Sequence, residues 1–180
     1  MDINVNEAAS PHLIAVCGVK NSGKTTLLVK LVSILTGRGL RVAVIKHDGH
    51  DFACDVPGTD SWRFARAGAY GTAVYSAARV FVHKETADGS AAELARQFPE
   101  ADVILLEGGK DSTLPKIEVV RRGISAGPVS NPAGRFLVVT DWPAGTFAEA
   151  MLSFEDTERI ADCLLGALSY MTDRNDSLQK

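Results

Sequence analysis

A glycine-rich segment that ends in a lysine and a threonine is the part of the sequence best suited to chemistry on phosphates. Residues 18–25, GVKNSGKT, match the pattern G-x-x-x-x-G-K-[S/T] of a phosphate-binding loop, or P-loop. Glycines at these positions let the backbone curl so that several N–H groups point at one anion. We expect the ammonium of Lys24 to contact the β- and γ-phosphates of a nucleotide, and the hydroxyl of Thr25 to ligate Mg²⁺.

The segments on either side predict the elements that would hold this loop. Residues 13–17, LIAVC, form a short apolar run typical of a buried parallel strand. The apolar residues after the loop have the spacing of a helix that buries one face, and they are Leu27, Leu28, Leu31, Val32 and Leu35. A helix N-terminus behind a glycine loop attracts phosphate. A glycine turn that merely caps an ordinary helix is therefore the weaker interpretation.

Apolar strands alternate with helical patterns along the rest of the chain. We predict strands at 41–46, 72–75, 80–82, 102–107, 116–120 and 135–139, with a hairpin formed by the second and third. We predict helices at 61–67 with Asp60 as N-cap, from 90 to a point before Pro99, and from about 153 to Met171. This order indicates an α/β protein, a three-layer P-loop NTPase with a predominantly parallel sheet and helices on both faces.

Composition favours a single soluble domain. The chain has 180 residues, of which 46% are hydrophobic and 23% charged. We expect one nucleotide-binding domain over residues 12–172, between a flexible arm at 1–11 and a polar tail at 173–180. The net charge of −3 and the lack of a basic block argue against nucleic-acid binding. No apolar run approaches the ~18 residues of a membrane span, and the N-terminus does not resemble a secretory signal.

The three cysteines indicate a reducing compartment. Cys17, Cys54 and Cys163 are odd in number and show no C-x-x-C spacing, so neither a disulfide framework nor a zinc site is expected. We therefore expect a cytoplasmic protein. Cys17 falls in the first predicted strand, where a buried structural thiol is favoured over a reactive one.

Two carboxylates follow predicted strands, at the edge of the sheet where ligands bind. Glu107 closes the apolar strand 102–107, and an acid at this place in P-loop proteins holds Mg²⁺ directly or through water. Asp48 follows the second strand and is our candidate for contacting a metal-bound water or orienting an attacking water. The alternative for both is an ordinary solvated carboxylate.

Histidines and basic residues near the strand ends leave several interpretations open. His47 and His50 have a spacing compatible with zinc, but no further ligand supports zinc, so phosphate contact or a solvated loop is favoured. A second anionic ligand or an ordinary charged surface would explain the later basic residues Lys110, Lys116, Arg121 and Arg122. The guanine-reading tetrad N-K-x-D is absent. Asp141, after the last predicted strand, could meet a base edge or could serve as a helix cap or turn residue.

Several segments together resemble the MobB family, molybdopterin-guanine dinucleotide biosynthesis protein B. They run in order from about Ile14 to Asp141 and read GVKNSGKTTLL, VIKHDGHDF, DVPGTDSWRFARAGA, VILLEGGKDSTLPKIEVVR and VVTD. The resemblance implies a GTP-binding P-loop protein with weak GTPase activity. It implies action with the guanylyltransferase MobA, which joins GMP to the molybdenum cofactor precursor. It also implies an adapter or carrier role toward molybdopterin or its guanine dinucleotide, and a homodimer.

The resemblance also assigns residues by position. It places the phosphates on Gly18, Val19, Lys20, Asn21, Ser22, Gly23, Lys24, Thr25 and Thr26, and Mg²⁺ on Thr25 and Glu107. Asp48 and Asp60 stand in loop motifs of the family. Lys20 lies one position later than the extra lysine of dimerising relatives that carry a deviant P-loop, so we do not assume that it reaches across a dimer.

Two other functions remain as alternatives to a GTP-binding accessory protein. A small-molecule kinase needs a mobile, arginine-rich lid, and the segment 121–135 is the candidate but holds few arginines. A nucleotide-independent interaction module would not need the intact Lys24 and Thr25. Hydrolysis is expected to be slow, because no residue is an evident arginine finger or positioning glutamine.

Overall fold

The computed structural model describes residues 13–48, 52–85 and 89–178, with side chains as far as Met171. The predicted N-terminal arm and His50 lie outside the described residues. The chain divides into two compact units, one formed by Met1–His47 with Ala91–Lys180 and the other by Asp48–Ser90. The elements are β1 (Leu13–Cys17), α1 (Lys24–Gly37), β2 (Val42–Lys46), α2 (Asp60–Arg66), β3 (Gly71–Tyr75), β4 (Val80–Lys84), α3 (Ala91–Ala95), β5 (Val103–Glu107), β6 (Lys116–Val120), β7 (Arg135–Thr140), β8 (Met151–Leu152) and α4 (Thr157–Leu178).

The larger unit contains a six-stranded sheet in the order β2-β5-β1-β6-β7-β8. Every neighbouring pair in it is parallel, which confirms the predicted α/β class. Strand β1 lies between β5 and β6, so the loop that follows it is flanked by the ends of two other strands. This arrangement explains why β1 and β5 are apolar on both faces: their side chains from Ile14 to Cys17 and from Val103 to Leu106 are buried.

Helices cover both faces of this sheet, as predicted. On one face α1 and α4 pack together over alternate strand residues, including Ile14, Val16 and Val119. On the other face the short α3 contributes Ala95 to a smaller core around Ile104. Within the described residues, no helix is long and apolar enough to cross a membrane.

Buried charges bond the segment between β6 and β7 to the sheet. Lys116 is fully buried, and its ammonium donates to the carbonyls of Ser112 at 2.8 Å, of Asn131 at 3.3 Å and of Ala133. Burial lowers the pKa of this lysine from its ordinary value. Neither interpretation of Lys116, an anionic ligand or an ordinary charged surface, fits this geometry, because its ammonium is buried and donates to three backbone carbonyls.

Glu118 makes the second part of this attachment. Its buried carboxylate accepts from the backbone N–H groups of Val129 at 2.5 Å and Ser130 at 3.1 Å, and from the Ser130 hydroxyl. Arg135 donates to the same carboxylate at 3.1 Å and pairs with Glu149 on its other side. Charge-assisted hydrogen bonds therefore hold the segment between β6 and β7 against the sheet, whereas apolar packing covers other strands.

The smaller unit consists of α2 and the predicted hairpin, in which β3 and β4 pair antiparallel. Thr59, one residue earlier than predicted, is the N-cap of α2, and its hydroxyl accepts from the backbone of Trp62. Asp60 is the first helical residue, where a carboxylate favours the helix dipole. Large apolar side chains of this unit are exposed, among them Phe64, Tyr70 and Tyr75.

The three free thiols are expected to differ in reactivity. Burial raises the pKa of the Cys17 thiol from 9.0 to about 11, whereas Cys54 and Cys163 are exposed. A shift of that size lowers the thiolate fraction at pH 8 about a hundredfold, and burial also blocks access. With a disulfide reagent at pH 8, we expect two thiols to react rapidly and the third only after unfolding. A Cys17→Ala variant should lack the slow thiol; three fast thiols in the folded wild type would contradict the burial of Cys17.

Candidate functional site

The loop between β1 and α1 has a backbone that its glycines require. Gly18 has φ 134° and Gly23 has φ 104°, values that other residues rarely adopt. A Cβ on Gly18 would lie 2.3 Å from the carbonyl oxygen of Val119 in β6, so no side chain fits there. Gly23 is the N-cap of α1 and provides no side-chain acceptor for the first turn. The N–H groups of that turn are therefore available to an anion.

Lys24 lies at the start of α1 and folds over the loop. Its Nζ donates to the carbonyl oxygen of Val19 at 2.8 Å. Ser22 is fully buried, and its hydroxyl has no hydrogen-bond partner among residues 13–48, 52–85 and 89–178. The remaining predicted loop residues Lys20, Asn21, Thr25 and Thr26 are exposed. An ammonium, a hydroxyl and uncapped N–H groups are the donors that bind phosphate oxygens.

Thr25 and Glu107, both predicted at Mg²⁺, lie against each other. The Thr25 hydroxyl is 3.0 Å and 3.1 Å from the two carboxylate oxygens of Glu107. They meet because β5 is parallel to β1, with Glu107 in register with Val16, close to where the loop begins. The backbone then turns through Gly108 and Gly109, both at positive φ. Hydroxyl and carboxylate oxygens are the protein ligands that Mg²⁺ accepts.

The other predicted site residues, which follow β2 or lie in α2, are divided between the two units. His47 belongs to the larger unit, where its N–H donates to the carbonyl of Glu107 at 3.0 Å. Asp48 and Asp60 belong to the smaller unit, and their roles remain predictions. Among the described residues, which exclude His50, no group of three histidine, cysteine or acidic side chains could hold a metal ion.

Asp141 follows β7 and connects it to the end of β6. Its Oδ1 accepts from the N–H of Arg122 at 2.6 Å. The guanidinium of Arg122 lies 5.7 Å from the ring centre of Trp142, which in turn meets Phe147 edge to face at 6.2 Å. One carboxylate oxygen of Asp141 therefore serves the local structure, and base recognition by this residue remains a prediction.

Two residues of the site were not singled out from the sequence. Arg121, considered only as one of several basic residues, donates from Nε to the carbonyl of Ser22 at 3.1 Å. Its guanidinium lies 4.1 Å from the ring centre of Phe154, which the sequence placed only at the start of the last helix. Arg121 directly follows β6, and the pairing of β6 with β1 brings it to the loop. A local pattern could not reveal this, because the strand order had to be known first.

Solved structures share this fold. The crystal structure of Bacillus subtilis MobB superposes with a TM-score of 0.70 at 23% identity, covering 86% of this chain and 96% of that one. The crystal structure of a MobB homologue from Bacillus stearothermophilus gives a TM-score of 0.65 at 23% identity, with 88% and 99% covered. Together with the loop geometry, they define the chain as an α/β protein with the P-loop NTPase fold.

The family follows from sequence comparison. The family model of MobB, molybdopterin guanine dinucleotide synthesis protein B, matches residues 13–141, and the chain belongs to this family. The molybdopterin-guanine dinucleotide biosynthesis adapter protein of Escherichia coli K12 is 37% identical over 159 residues, 83% of this chain and 89% of the relative. The adapter protein of the same name from Haemophilus influenzae is 39% identical over 113 residues, 61% of this chain and 64% of the relative.

Proposed function

We propose that this protein is a GTP-binding adapter with weak GTPase activity in molybdopterin guanine dinucleotide biosynthesis. The names of its relatives support the pathway and the adapter role. The observation that carries the nucleotide-binding part is the loop at the uncapped start of α1, with Lys24 lying across it. In this role the protein acts with a MobA-type guanylyltransferase in the cytoplasm, as a homodimer, and contacts molybdopterin or its guanine dinucleotide.

Residues 18–26 would hold the phosphates of GTP, and Thr25 and Glu107 would hold Mg²⁺. The close approach of Gly18 to Val119 supports this, because it leaves no room for a side chain at the first glycine of the loop. The pairing of the Thr25 hydroxyl with the Glu107 carboxylate supports the metal site. When bound, Mg²⁺ supplies charge neutralisation on the phosphates. Asp48 is proposed to orient the attacking water and Asp60 to contact the nucleotide, while Asp141 is proposed to read the base.

Glu107→Gln should weaken GTP binding in Mg²⁺ more than it weakens GTP binding without metal. The amide keeps the size of the side chain and one oxygen acceptor but lacks the charge that favours a divalent cation. Calorimetric titrations with GTP, in Mg²⁺ and in EDTA, would measure both affinities. Glu93→Gln, on the larger unit's α3, is the matched control and should leave both unchanged. Equal losses in Mg²⁺ and in EDTA would remove Glu107 from the metal site.

The adapter role is tested by competition binding. In competition, we expect the purified protein to bind GTP more tightly than ATP. We also expect the protein to keep molybdopterin bound when a MobA-type enzyme is present. Capture of that enzyme on immobilised protein should depend on GTP and be reduced by Lys24→Ala. Capture that is indifferent to both the nucleotide and the substitution would contradict a nucleotide-dependent adapter.

A further inference from the structure

We propose that Arg121 is a positioning residue of the phosphate-binding loop, which fixes the Ser22–Gly23 peptide so that the Gly23 N–H is directed at a bound phosphate. The proposal rests on nucleotide binding at this loop. Its basis is the hydrogen bond from the Arg121 Nε to the carbonyl oxygen of Ser22, at 3.1 Å. That oxygen belongs to the peptide unit whose nitrogen is that of Gly23.

Because the peptide unit is planar, the hydrogen bond to the Ser22 carbonyl also fixes the direction of the Gly23 N–H. The described residues contain no cis peptide bond, and in a trans peptide the C=O and the N–H point in opposite directions. Arg121 holds the Ser22 carbonyl toward itself, so the Gly23 N–H points away from Arg121. No acceptor for that N–H exists within the described residues. A donor held in place and without a protein acceptor is what an anion-binding loop requires.

The arginine is itself fixed by an aromatic ring. Its guanidinium lies 4.1 Å from the ring centre of Phe154, in the segment between β8 and α4. A Cβ on Gly23 would lie 3.2 Å from a terminal nitrogen of Arg121 and 3.8 Å from the ring of Phe154. A side chain at position 23 would therefore meet both the guanidinium and the ring, and glycine leaves the space that they occupy. A planar guanidinium can stack on a ring and donate at its edge at the same time, which a lysine ammonium cannot do.

The contact also stabilises an unfavourable backbone. Asn21 has φ 64° and Gly23 has φ 104°, so the residues on both sides of Ser22 are in the left-handed region. Without a bound anion, the mutual repulsion of the inward-pointing N–H groups would favour opening of this turn. The hydrogen bond from Arg121 opposes that opening from outside the loop. We therefore expect Arg121 to keep the loop in its binding form before the nucleotide arrives.

The neighbouring arginine provides a matched control. Arg122 carries the same charge and also lies over an aromatic ring, at 5.7 Å from the centre of Trp142. Its guanidinium lies over Trp142 and its backbone N–H donates to Asp141, and neither partner belongs to residues 18–25. Arg122→Met therefore removes the same charge from the same region without changing the contact to Ser22.

The test measures the affinities of Arg121→Met and Arg122→Met for two probes with Mg²⁺, GTP and inorganic tripolyphosphate. Arg121→Met should weaken both by the same factor, about tenfold, because it removes a charge-assisted hydrogen bond that shapes the phosphate site. Arg121→Lys should be intermediate, and Arg122→Met should match the wild type. In protein labelled with ¹⁵N-glycine and free of nucleotide, the Gly23 amide resonance should shift in Arg121→Met and not in Arg122→Met.

The outcomes separate this inference from the proposed function. Wild-type affinity in Arg121→Met would overturn it, and so would a loss confined to GTP, which would make Arg121 a contact of the nucleoside. An unshifted Gly23 resonance, or equal losses in Arg121→Met and Arg122→Met, would reduce the effect to charge alone and also overturn it. A wild-type protein that binds neither probe would contradict the proposed function itself.

Discussion

Lys24→Ala is expected to weaken binding of Mg²⁺-GTP about ten- to hundred-fold, the effect of removing one charge-assisted phosphate contact. In the structure the Lys24 ammonium donates to the Val19 carbonyl at 2.8 Å. A bound phosphate would draw it away from a neutral acceptor to a charged one, and the difference between these two hydrogen bonds is what the substitution removes. Calorimetric titration at fixed ionic strength would measure the loss.

Lys30→Ala is the matched control for this experiment. Lys30 lies on the same helix and is exposed, so its removal changes the net charge equally while leaving the loop intact. We expect the control to bind GTP as the wild type does, and both variants to keep the wild-type melting temperature. Equal affinities of Lys24→Ala and the wild type would mean that the phosphates bind elsewhere.

Arg135→Met should lower the free energy of unfolding by about 3 kcal/mol, the low end of the cost of breaking a buried ion pair. The guanidinium lies between the carboxylates of Glu118 and Glu149. Without it, the fully buried carboxylate of Glu118 keeps its hydrogen bonds from Val129 and Ser130 but loses its cationic partner. Denaturant unfolding monitored by circular dichroism would measure the change.

Arg38→Met is the control for burial. Arg38 also bridges two carboxylates, at 2.6 Å to Glu158 and 2.7 Å to Asp162, but those partners are exposed. Ion pairs screened by water contribute little to stability, so we expect almost no change. If Arg135→Met and Arg38→Met had the same free energy of unfolding, the network around Glu118 would not hold the segment between β6 and β7.

Acid unfolding is a second test of the ion pairs of Arg135. Burial raises the pKa of Glu149, but the hydrogen bond and the charge of Arg135, together with a backbone hydrogen bond, outweigh burial, and the net shift is downward from 4.5. A lowered pKa in the folded state stabilises the protein above the ordinary value, and this contribution is lost as the pH falls through the folded-state pKa. Arg135→Met should therefore lose less stability than the wild type when the pH is lowered below about 4.5.

The same network bears on the kinase alternative. A kinase lid must swing over the phosphates, and residues 121–135 were the candidate for it. In the structure this segment is bonded to the sheet through Lys116, Glu118 and Arg135. Movement of the segment would break these charge-assisted hydrogen bonds, which opposes its use as a lid. The structure and the family both favour the adapter over the kinase.

Contiguous patterns were sufficient to predict the elements that hold the loop. The strand Leu13–Cys17 and the strand Lys116–Val120 have the predicted bounds, and the hairpin of β3 and β4 was also anticipated. Each is signalled by its own side chains, through apolar runs or alternation. The two-residue strand β8 was not predicted, because Met151–Leu152 is too short to show any period.

What the sequence could not provide depends on contacts between distant segments. Lys116 and Glu118 alternate with apolar residues, which resembles a strand with one solvated face. That face is instead covered by residues 129–133, and the charges are buried. The contact of Arg121 with Ser22 likewise spans 99 positions and depends on β6 lying beside β1. In contrast, the meeting of Thr25 and Glu107 was predicted, because the P-loop pattern and the acid at the end of a buried strand each pointed to the same Mg²⁺.

A crystal structure of the protein with Mg²⁺ and a non-hydrolysable GTP analogue tests the central claim most directly. We predict that the triphosphate lies in the loop of residues 18–25, within hydrogen-bonding distance of its backbone N–H groups, with the ammonium of Lys24 moved from the Val19 carbonyl to a phosphate oxygen. Mg²⁺ should lie beside Thr25. An empty loop at a saturating concentration of the analogue, or a triphosphate bound anywhere else on the chain, would contradict the account.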